Sequence, residues 1–273
     1  MLPLDPRRDA VRVKRFLHRP IVRRLAARPE VRRRFAEAAA NHMPVVVIAY
    51  DNAVYVERMV SQLNALDLRP LLLDNASTHA PSVRRFGELH DRGRAVHVRC
   101  PVNVGHNLPF MRPVYDLLPD LFAVTDPDLR LSESLPPDFL DVLAAVTDEY
   151  MVFKAGMALE LREPFRPLTI TVRRRWPLQF RRTYGVVEWE RQFWQRRLDS
   201  RSGLEVYAAD VDTTFCVVNK RHFHGRLLDG VRVAGKFGCL HLPWYPDIDV
   251  MSEEEREFYA RSKRDTAGAW IRH

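Results

Sequence analysis

Between residues 44 and 125 the apolar positions fall into four short, dense blocks, with helically spaced stretches between them. Pro44-Val-Val-Val-Ile-Ala-Tyr50 is apolar almost throughout and reads as a strand buried on both faces. Residues 53–66 place Val56, Met59, Val60 and Leu63 on one helical face. Leu71-Leu72-Leu73 predicts a second buried strand, residues 80–92 a helix, and Val96 to Cys100 a third strand. Residues 108–118 predict a helix, and Leu121 to Thr125 a fourth strand. Strands alternating with helices predict an α/β fold: a mostly parallel, Rossmann-like sheet flanked by helices.

Beyond residue 130 the pattern is less regular. Tyr150 to Leu159 predicts a strand, and the Arg- and Pro-rich residues 162–182 a surface loop or lid. Val186 to Arg197 predicts a helix. Val206 to Val218 is strand-like and contains Asp210 and Asp212. Residues 252–264 predict a charged terminal helix opened by Ser252 with Glu255 three residues on, a capping box.

The charge is unevenly placed. The chain has 273 residues and a net charge of +8. Residues 1–40 hold 12 Lys/Arg against 4 Asp/Glu, and the remainder holds 31 of each. This divides the chain into a basic arm, residues 1–40, and a neutral body, residues 41–273. A pI near 9.7 alone would suggest nucleic-acid binding. A body without excess charge argues against it. In the arm, Val13, Phe16, Leu17, Ile21 and Leu25 recur at three-to-four spacing among arginines, with breaks expected at Pro20 and Pro29. One reading is a helix on an anionic membrane surface. The other is a packed N-terminal helix pair.

Hydrophobic residues make up 46 % of the chain, enough for a sizeable core. No apolar run reaches the roughly 18–20 residues of a membrane span, and no apolar stretch resembles a secretory signal. Cys100, Cys216 and Cys239 match no zinc or CxxC spacing. The expectation is a cytoplasmic protein with reduced thiols, in peripheral contact with the inner face of the membrane if the arm binds lipid.

In open α/β sheets, ligands sit at the carboxyl ends of the strands. Four predicted strands end in polar residues: Asp51-Asn52, Asp74-Asn75, Asn103 with Gly105, and Asp126 with Asp128. One such end would be a turn or a helix cap. Four on one edge argue for a binding crevice. Asp126-Pro127-Asp128 carries the sharpest chemistry. Two carboxylates two residues apart can hold one hard cation, Mn²⁺ or Mg²⁺, against a diphosphate. Such an ion neutralises charge on a departing nucleoside diphosphate.

Six motifs stand in order: Leu73-Asp-Asn-Ala-Ser-Thr78, Asn103-Val-Gly105, Thr125-Asp-Pro-Asp128, Val187-Glu-Trp-Glu190 with Phe193-Trp194, Asp212-Thr-Thr-Phe215, and His241-Leu-Pro-Trp-Tyr245. In these the chain resembles the GT-A glycosyltransferases of the family 2 type, over roughly residues 43–262. The resemblance implies a GT-A fold with a nucleotide-sugar-binding half, residues 41–130, and an acceptor half, residues 131–273. It implies transfer of a sugar, most often from a UDP-sugar, to a glycan or lipid-linked hydroxyl with inversion. By the same resemblance, Tyr50 and Asp51 would hold the nucleobase and Asp74 and Asn75 the nucleoside. Asn103 and Gly105 would line the crevice. Asp126 would contact ribose or metal, Asp128 the metal, and His241 the metal or diphosphate; a packed structural histidine is the other reading of His241. Trp244 and Tyr245 are the acceptor-stacking candidates, and Arg173 to Arg175 either contact the donor diphosphate or an anionic acceptor, or form a solvated face.

The chain departs from the family pattern at Leu161-Arg162-Glu163, where relatives carry two aspartates, and it lacks a clear Glu-Asp pair. Asp212, Glu163 and Glu188 therefore compete for the catalytic base, with Asp212 first. A nucleotidyltransferase acting on a sugar phosphate is the alternative enzyme. It is disfavoured because Ala49-Tyr-Asp-Asn52 holds none of the glycines of a phosphate loop. A non-catalytic membrane- or polyanion-binding protein is the alternative outside enzymes.

Overall fold

The computed structural model describes residues 18–174 and 180–262, with side chains described except at 171–181 and 259–262. Residues 18–27 form α1, and Pro29–Ala38 form α2. The first half then alternates as expected: β1 (Val45–Ala49), α3 (Ala53–Asn64), β2 (Leu71–Asp74), α4 (Ala80–Asp91), β3 (Val96–Arg99), α5 (Arg112–Tyr115), β4 (Leu121–Thr125). The second half comprises β5 (Leu129–Leu131), α6 (Phe139–Tyr150), β6 (Lys154–Met157), β7 (Thr169–Arg174), β8 (Phe180–Gly185), α7 (Val186–Arg191), β9 (Arg197–Leu198), β10 (Val206–Ala208), β11 (Cys216–Asn219), β12 (Gly230–Val233), β13 (Cys239–His241) and α8 (Glu253–Ser262).

Nine strands form one sheet in the order β3-β2-β1-β4-β11-β6-β12-β10-β9. β3, β2, β1 and β4 are mutually parallel, and β6 and β12 pair in parallel. Only β11 and β10 run against the rest, so the sheet is mostly parallel. Every residue of β1 is buried, as a central parallel strand requires. Its pleat divides it between two cores. Val45, Val47 and Ala49 meet α3, α4 and α6, whereas Val46 and Ile48 meet α1, α2 and α5. Each buried valine or leucine contributes about 1.5–3 kcal/mol.

Residues 18–38 of the basic arm belong to the second core. Val22, Leu25, Val31, Phe35 and Ala38 are buried, and the Arg34 guanidinium donates to the His97 carbonyl at 2.7 Å. Arg19, Arg23, Arg24, Arg28, Arg32 and Arg33 stay exposed. The expected break at Pro29 is present, with Pro29 opening α2. None occurs at Pro20, which lies inside helical residues 18–27. Val13, Phe16 and Leu17 lie outside the described residues. No helix among the described residues is long and apolar enough to cross a membrane.

Several expected elements are corrected. Residues 108–118 give only a 3₁₀ turn at Leu108–Phe110 and the single turn α5, because Pro109 and Pro113 interrupt the helix. The strand expected from Tyr150 begins only at Lys154. Tyr150 ends α6, and Met151 closes that helix in a left-handed conformation. The loop expected over 162–182 contains β7, which pairs with β8 as a hairpin; residues 175–179, including Arg175, lie outside the described residues, as do the side chains of Arg173 and Arg174. Residues 209–215 are a loop rather than strand interior, so Asp210 and Asp212 sit outside the sheet. The capping box is present: Ser252 N donates to Glu255 Oε2 at 2.9 Å, and Glu255 N donates to Ser252 Oγ at 3.2 Å.

Candidate active site

Because β1, β2 and β4 are parallel neighbours, residues 50–52, 74–78 and 126–128 reach one sheet edge together. Asp51 is buried there with φ at +46°. Its Oδ1 accepts the Thr78 and His79 N–H groups, both at 2.7 Å, and its Oδ2 accepts the Thr78 hydroxyl at 3.0 Å. His79 is the N-cap of α4 and Thr78 the residue before it, so Asp51 pins the entry to that helix from across the sheet. The carboxylate expected to hold a nucleobase is thus occupied by the β2–α4 loop. Tyr50, half-buried beside it, donates its N–H to Asn52 Oδ1 at 3.1 Å.

Asp74 Oδ1 accepts Ser77 N–H at 2.8 Å, three residues further along the same loop. Its Oδ2 faces Arg99 Nε at 3.5 Å and His97 Nε2 at 3.6 Å. Asn75 donates to Asn103 Oδ1 at 3.0 Å and accepts Val104 N–H at 2.9 Å, while Asn103 Oδ1 also accepts Gly105 N–H at 2.9 Å. This amide chain joins the loops after β2 and β3. Gly105 has φ +83°, which favours glycine. Ala76, at φ +64°, holds about 1–2 kcal/mol of backbone strain in the same crevice.

The two carboxylates after β4 differ. Asp126 is latched to the loop before β11: its N–H donates to the Thr213 carbonyl at 3.0 Å, and its Oδ2 accepts the Thr213 hydroxyl at 2.7 Å. Asp128 is only 7 % exposed. Its Oδ1 is buried with no hydrogen-bond partner among the described residues, and its Oδ2 stands 3.6 Å from His241 Nε2. The backbone explains the pairing. β5 and β13 are antiparallel with His241 opposite Leu129, and Leu242 N–H donates to the Asp128 carbonyl at 2.8 Å. A buried carboxylate oxygen without a partner is costly unless something else compensates it. A hard divalent cation would do so. Among the described residues, however, no three His, Cys, Asp or Glu side chains gather around one point. The Asp128–His241 pair with Asp126 nearby in sequence therefore fits an ion that takes its remaining ligands from phosphate and water, as Mg²⁺ does.

Asp212 is 59 % exposed on its side chain and adjoins the Thr213 latch. His106 Nε2, from the loop after β3, is 3.9 Å from its Oδ1. Its backbone is held by Lys154, a residue only 1 % exposed, whose ammonium donates to the Asp212 carbonyl at 2.8 Å and the Val211 carbonyl at 3.1 Å. The Phe110 ring lies 4.5 Å from the same ammonium. The other two base candidates do not join this edge group. Glu163 is exposed with no hydrogen bond or ion pair among the described residues, and Glu188 pairs with Arg182 at 3.0 Å beside the β7–β8 hairpin.

Trp244 and Tyr245 require a correction. Expected on a loop to stack on sugar, they are 1 % and 0 % exposed. Trp244 packs on the His241 ring with centroids 4.8 Å apart, and Tyr245 packs on Phe165 and donates its hydroxyl to the Glu160 carbonyl. They support the site from behind. Burial pushes the Tyr245 hydroxyl up to about 12.

Sequence reasoning missed several groups. Lys154 was legible as a charge inside an apolar run, which is rarely buried without partners. Thr213 carried no signal beyond its motif. The buried Glu190–Arg232 ion pair joins α7 to β12, residues far apart in sequence. Burial pushes Glu190 up to about 7 against the opposing pull of Arg232. Asp249, with its side chain fully buried, accepts from Tyr55 at 2.6 Å and from Arg256, tying the C-terminal segment to α3.

No family model matches the chain, and no curated protein does. Solved structures overlay parts of it. A mannosyltransferase of Pyrobaculum calidifontis, PcManGT, solved with GDP-Man and Mn²⁺, is similar over 55 % of this chain and 45 % of its own, with 18 % identity and a TM-score of 0.34. S. aureus TarS residues 1–349 are similar over 48 % of this chain and 40 % of that one, with 14 % identity and a TM-score of 0.32. A second S. aureus TarS structure is similar over 46 % and 23 %, with 15 % identity and a TM-score of 0.33. The chain thus spans less than half the length of each of these structures.

Proposed function

We propose that the chain is a metal-dependent glycosyltransferase that moves a sugar from a nucleotide-sugar to a hydroxyl of a glycan or lipid-linked acceptor, with inversion. The observation that carries this reading is Asp128: a buried carboxylate with one oxygen unpartnered among the described residues, beside His241, at the carboxyl edge of a mostly parallel sheet. The ordered motifs resemble those of enzymes that use UDP-sugars, so a UDP-sugar is the first donor to test.

In this reading Asp128 and His241 hold Mn²⁺ or Mg²⁺, which when bound stabilises negative charge on the leaving nucleoside diphosphate. Asp126 is kept in place by Thr213, so its carboxylate is pre-oriented toward the donor. The Asn75–Asn103 chain and Gly105 shape the nucleotide crevice, and Asp51 keeps the β2–α4 loop closed against it. Asp212 takes the proton of the acceptor hydroxyl as that oxygen attacks the anomeric carbon. Its exposed carboxylate on a backbone fixed by Lys154 supports the assignment. Contact with an anionic membrane would fall to the exposed arginines of α1 and α2, because Val22, Leu25, Val31 and Phe35 of those helices are buried in the protein.

A hydrolysis screen of nucleotide-sugars with Mn²⁺ tests the proposal. The expected result is slow, metal-dependent release of nucleoside diphosphate from one donor, reduced about 10²- to 10⁴-fold by Asp212→Asn. No turnover of any donor, with or without metal, would overturn it.

A further inference from the structure

A cleft of about 530 Å³ runs along β5 and β13. Asp128 directly precedes β5 and His241 ends β13, so the candidate metal pair stands at one end of this strand pair, and the cleft is lined from its Leu131 and Cys239 end. Most of its charged groups neutralise one another. Arg130 pairs with Glu133 at 2.7 Å, and Arg162 pairs with Asp247 at 2.8 Å. Glu160 is different. Its carboxylate lines the cleft and has no hydrogen bond or ion pair among the described residues.

The backbone of Glu160 is fixed from two sides. Its N–H donates to the Cys239 carbonyl at 2.9 Å, and its carbonyl accepts the buried Tyr245 hydroxyl. Gly238 makes room for the side chain: a Cβ there would lie 2.8 Å from Glu160 Cγ and closer still to the carboxylate. A rigid backbone thus presents an uncommitted carboxylate beside a residue that has no side chain.

The charges select a ligand class. Each guanidinium is neutralised by its partner, and Glu160 leaves one negative charge over. A phosphate or carboxylate entering the cleft would meet the Glu160 carboxylate, and both guanidiniums that line it are already paired with a carboxylate. A neutral polyol can donate a hydroxyl to Glu160 and bond to the paired groups around it. Leu240 and Ile248 offer apolar surface to the C–H face of a sugar ring.

We infer that this cleft is the acceptor subsite, that it takes an uncharged sugar unit, and that Glu160 anchors that unit by accepting a hydroxyl hydrogen bond. The inference rests on the glycosyl-transfer reading and leaves proton removal to Asp212. The test uses the full chain with UDP and Mn²⁺, and follows by saturation-transfer NMR the binding of the methyl glycosides of glucose, galactose, mannose and N-acetylglucosamine, and of glucose 6-phosphate. At least one neutral glycoside is expected to bind, and glucose 6-phosphate to bind about tenfold more weakly than the best of them. Glu160→Ala should weaken that glycoside by about tenfold, the usual loss for one hydrogen bond to a charged group. Gly238→Ala, which displaces Glu160 without removing it, should do the same, while both variants remain folded by circular dichroism. Equal binding of the phosphorylated sugar, or unchanged glycoside binding in Glu160→Ala, overturns the inference. UDP bound without any glycoside overturns the cleft alone; no UDP bound overturns the transfer reading, and the acceptor role with it.

Discussion

The two ends of the central sheet bury polar groups in different ways. On the β1–β4 side, Asp51, Asn75 and Ser77 are buried in short networks with backbone N–H groups of the loops beside them. On the side of β6 and β12, the buried groups are long charged side chains that reach across elements: Lys154 to the loop before β11, and Arg232 to Glu190. The first kind of network follows from four parallel strands ending together over tight turns. The second arises where chain neighbours are not sheet neighbours, so loops must be held by distant residues. The candidate chemistry lies where the two meet, at the Asp126–Thr213 latch and the Asp128–His241 pair.

The contrast breaks most visibly at Glu190 and Arg232. Arg232→Met leaves Glu190 buried and unpaired, and should lower unfolding free energy by about 3–5 kcal/mol in urea denaturation. Replacing both, with Glu190→Gln added, should recover most of that loss, because the stranded charge is removed. If the double variant is no more stable than the single one, the pair is not the element joining α7 to β12.

The same pair makes stability depend on pH with a defined sign. Glu190 is raised from an ordinary value of 4.5 to about 7 in the folded protein. Its contribution is therefore full below about pH 4.5 and is lost as pH rises through about 7, by up to roughly 3 kcal/mol. Denaturation curves at pH 5 and pH 8 should show the wild type losing more stability over this interval than Glu190→Gln. An equal loss in both would assign the slope to other groups.

On the regular side the effect should be smaller and more local. Asp51→Ala removes three hydrogen bonds to Thr78 and His79 and should cost about 2–3 kcal/mol. Hydrogen exchange should speed up at Thr78 and His79 before the rest of α4. Loss of protection throughout the sheet would contradict a local pin. The smallest effect belongs to the exposed Arg182–Glu188 pair. Glu188→Gln should change stability by less than about 0.5 kcal/mol, and donor hydrolysis by less than about twofold, since Glu188 is outside the edge cluster.

The same division explains what could be read in the sequence. β1 to β4 were legible because strands buried on both faces are continuous apolar blocks, and their polar ends mark one edge. α8 was legible through the local grammar of Ser252 and Glu255. α6 was not recognised, although Leu140, Leu143 and Val146 are spaced for it. Trp244 and Tyr245 were misplaced because a proline before two aromatics reads as an exposed loop, whereas the β5–β13 pairing draws the segment into the core. Glu160 was invisible because its meaning depends on Gly238 and on ion pairs that satisfy its neighbours. Asp126 and Asp128 were legible as a pair, but only the Thr213 latch shows that they differ.

That difference can be measured directly. Calorimetry of UDP binding with and without Mn²⁺, on the wild type and on Asp128→Ala, tests whether Asp128 holds the metal. The prediction is that Mn²⁺ strengthens UDP binding to the wild type and that Asp128→Ala loses the metal-dependent part while remaining folded by circular dichroism. Unchanged Mn²⁺-dependent UDP binding in Asp128→Ala would contradict the metal assignment at the centre of the proposed function.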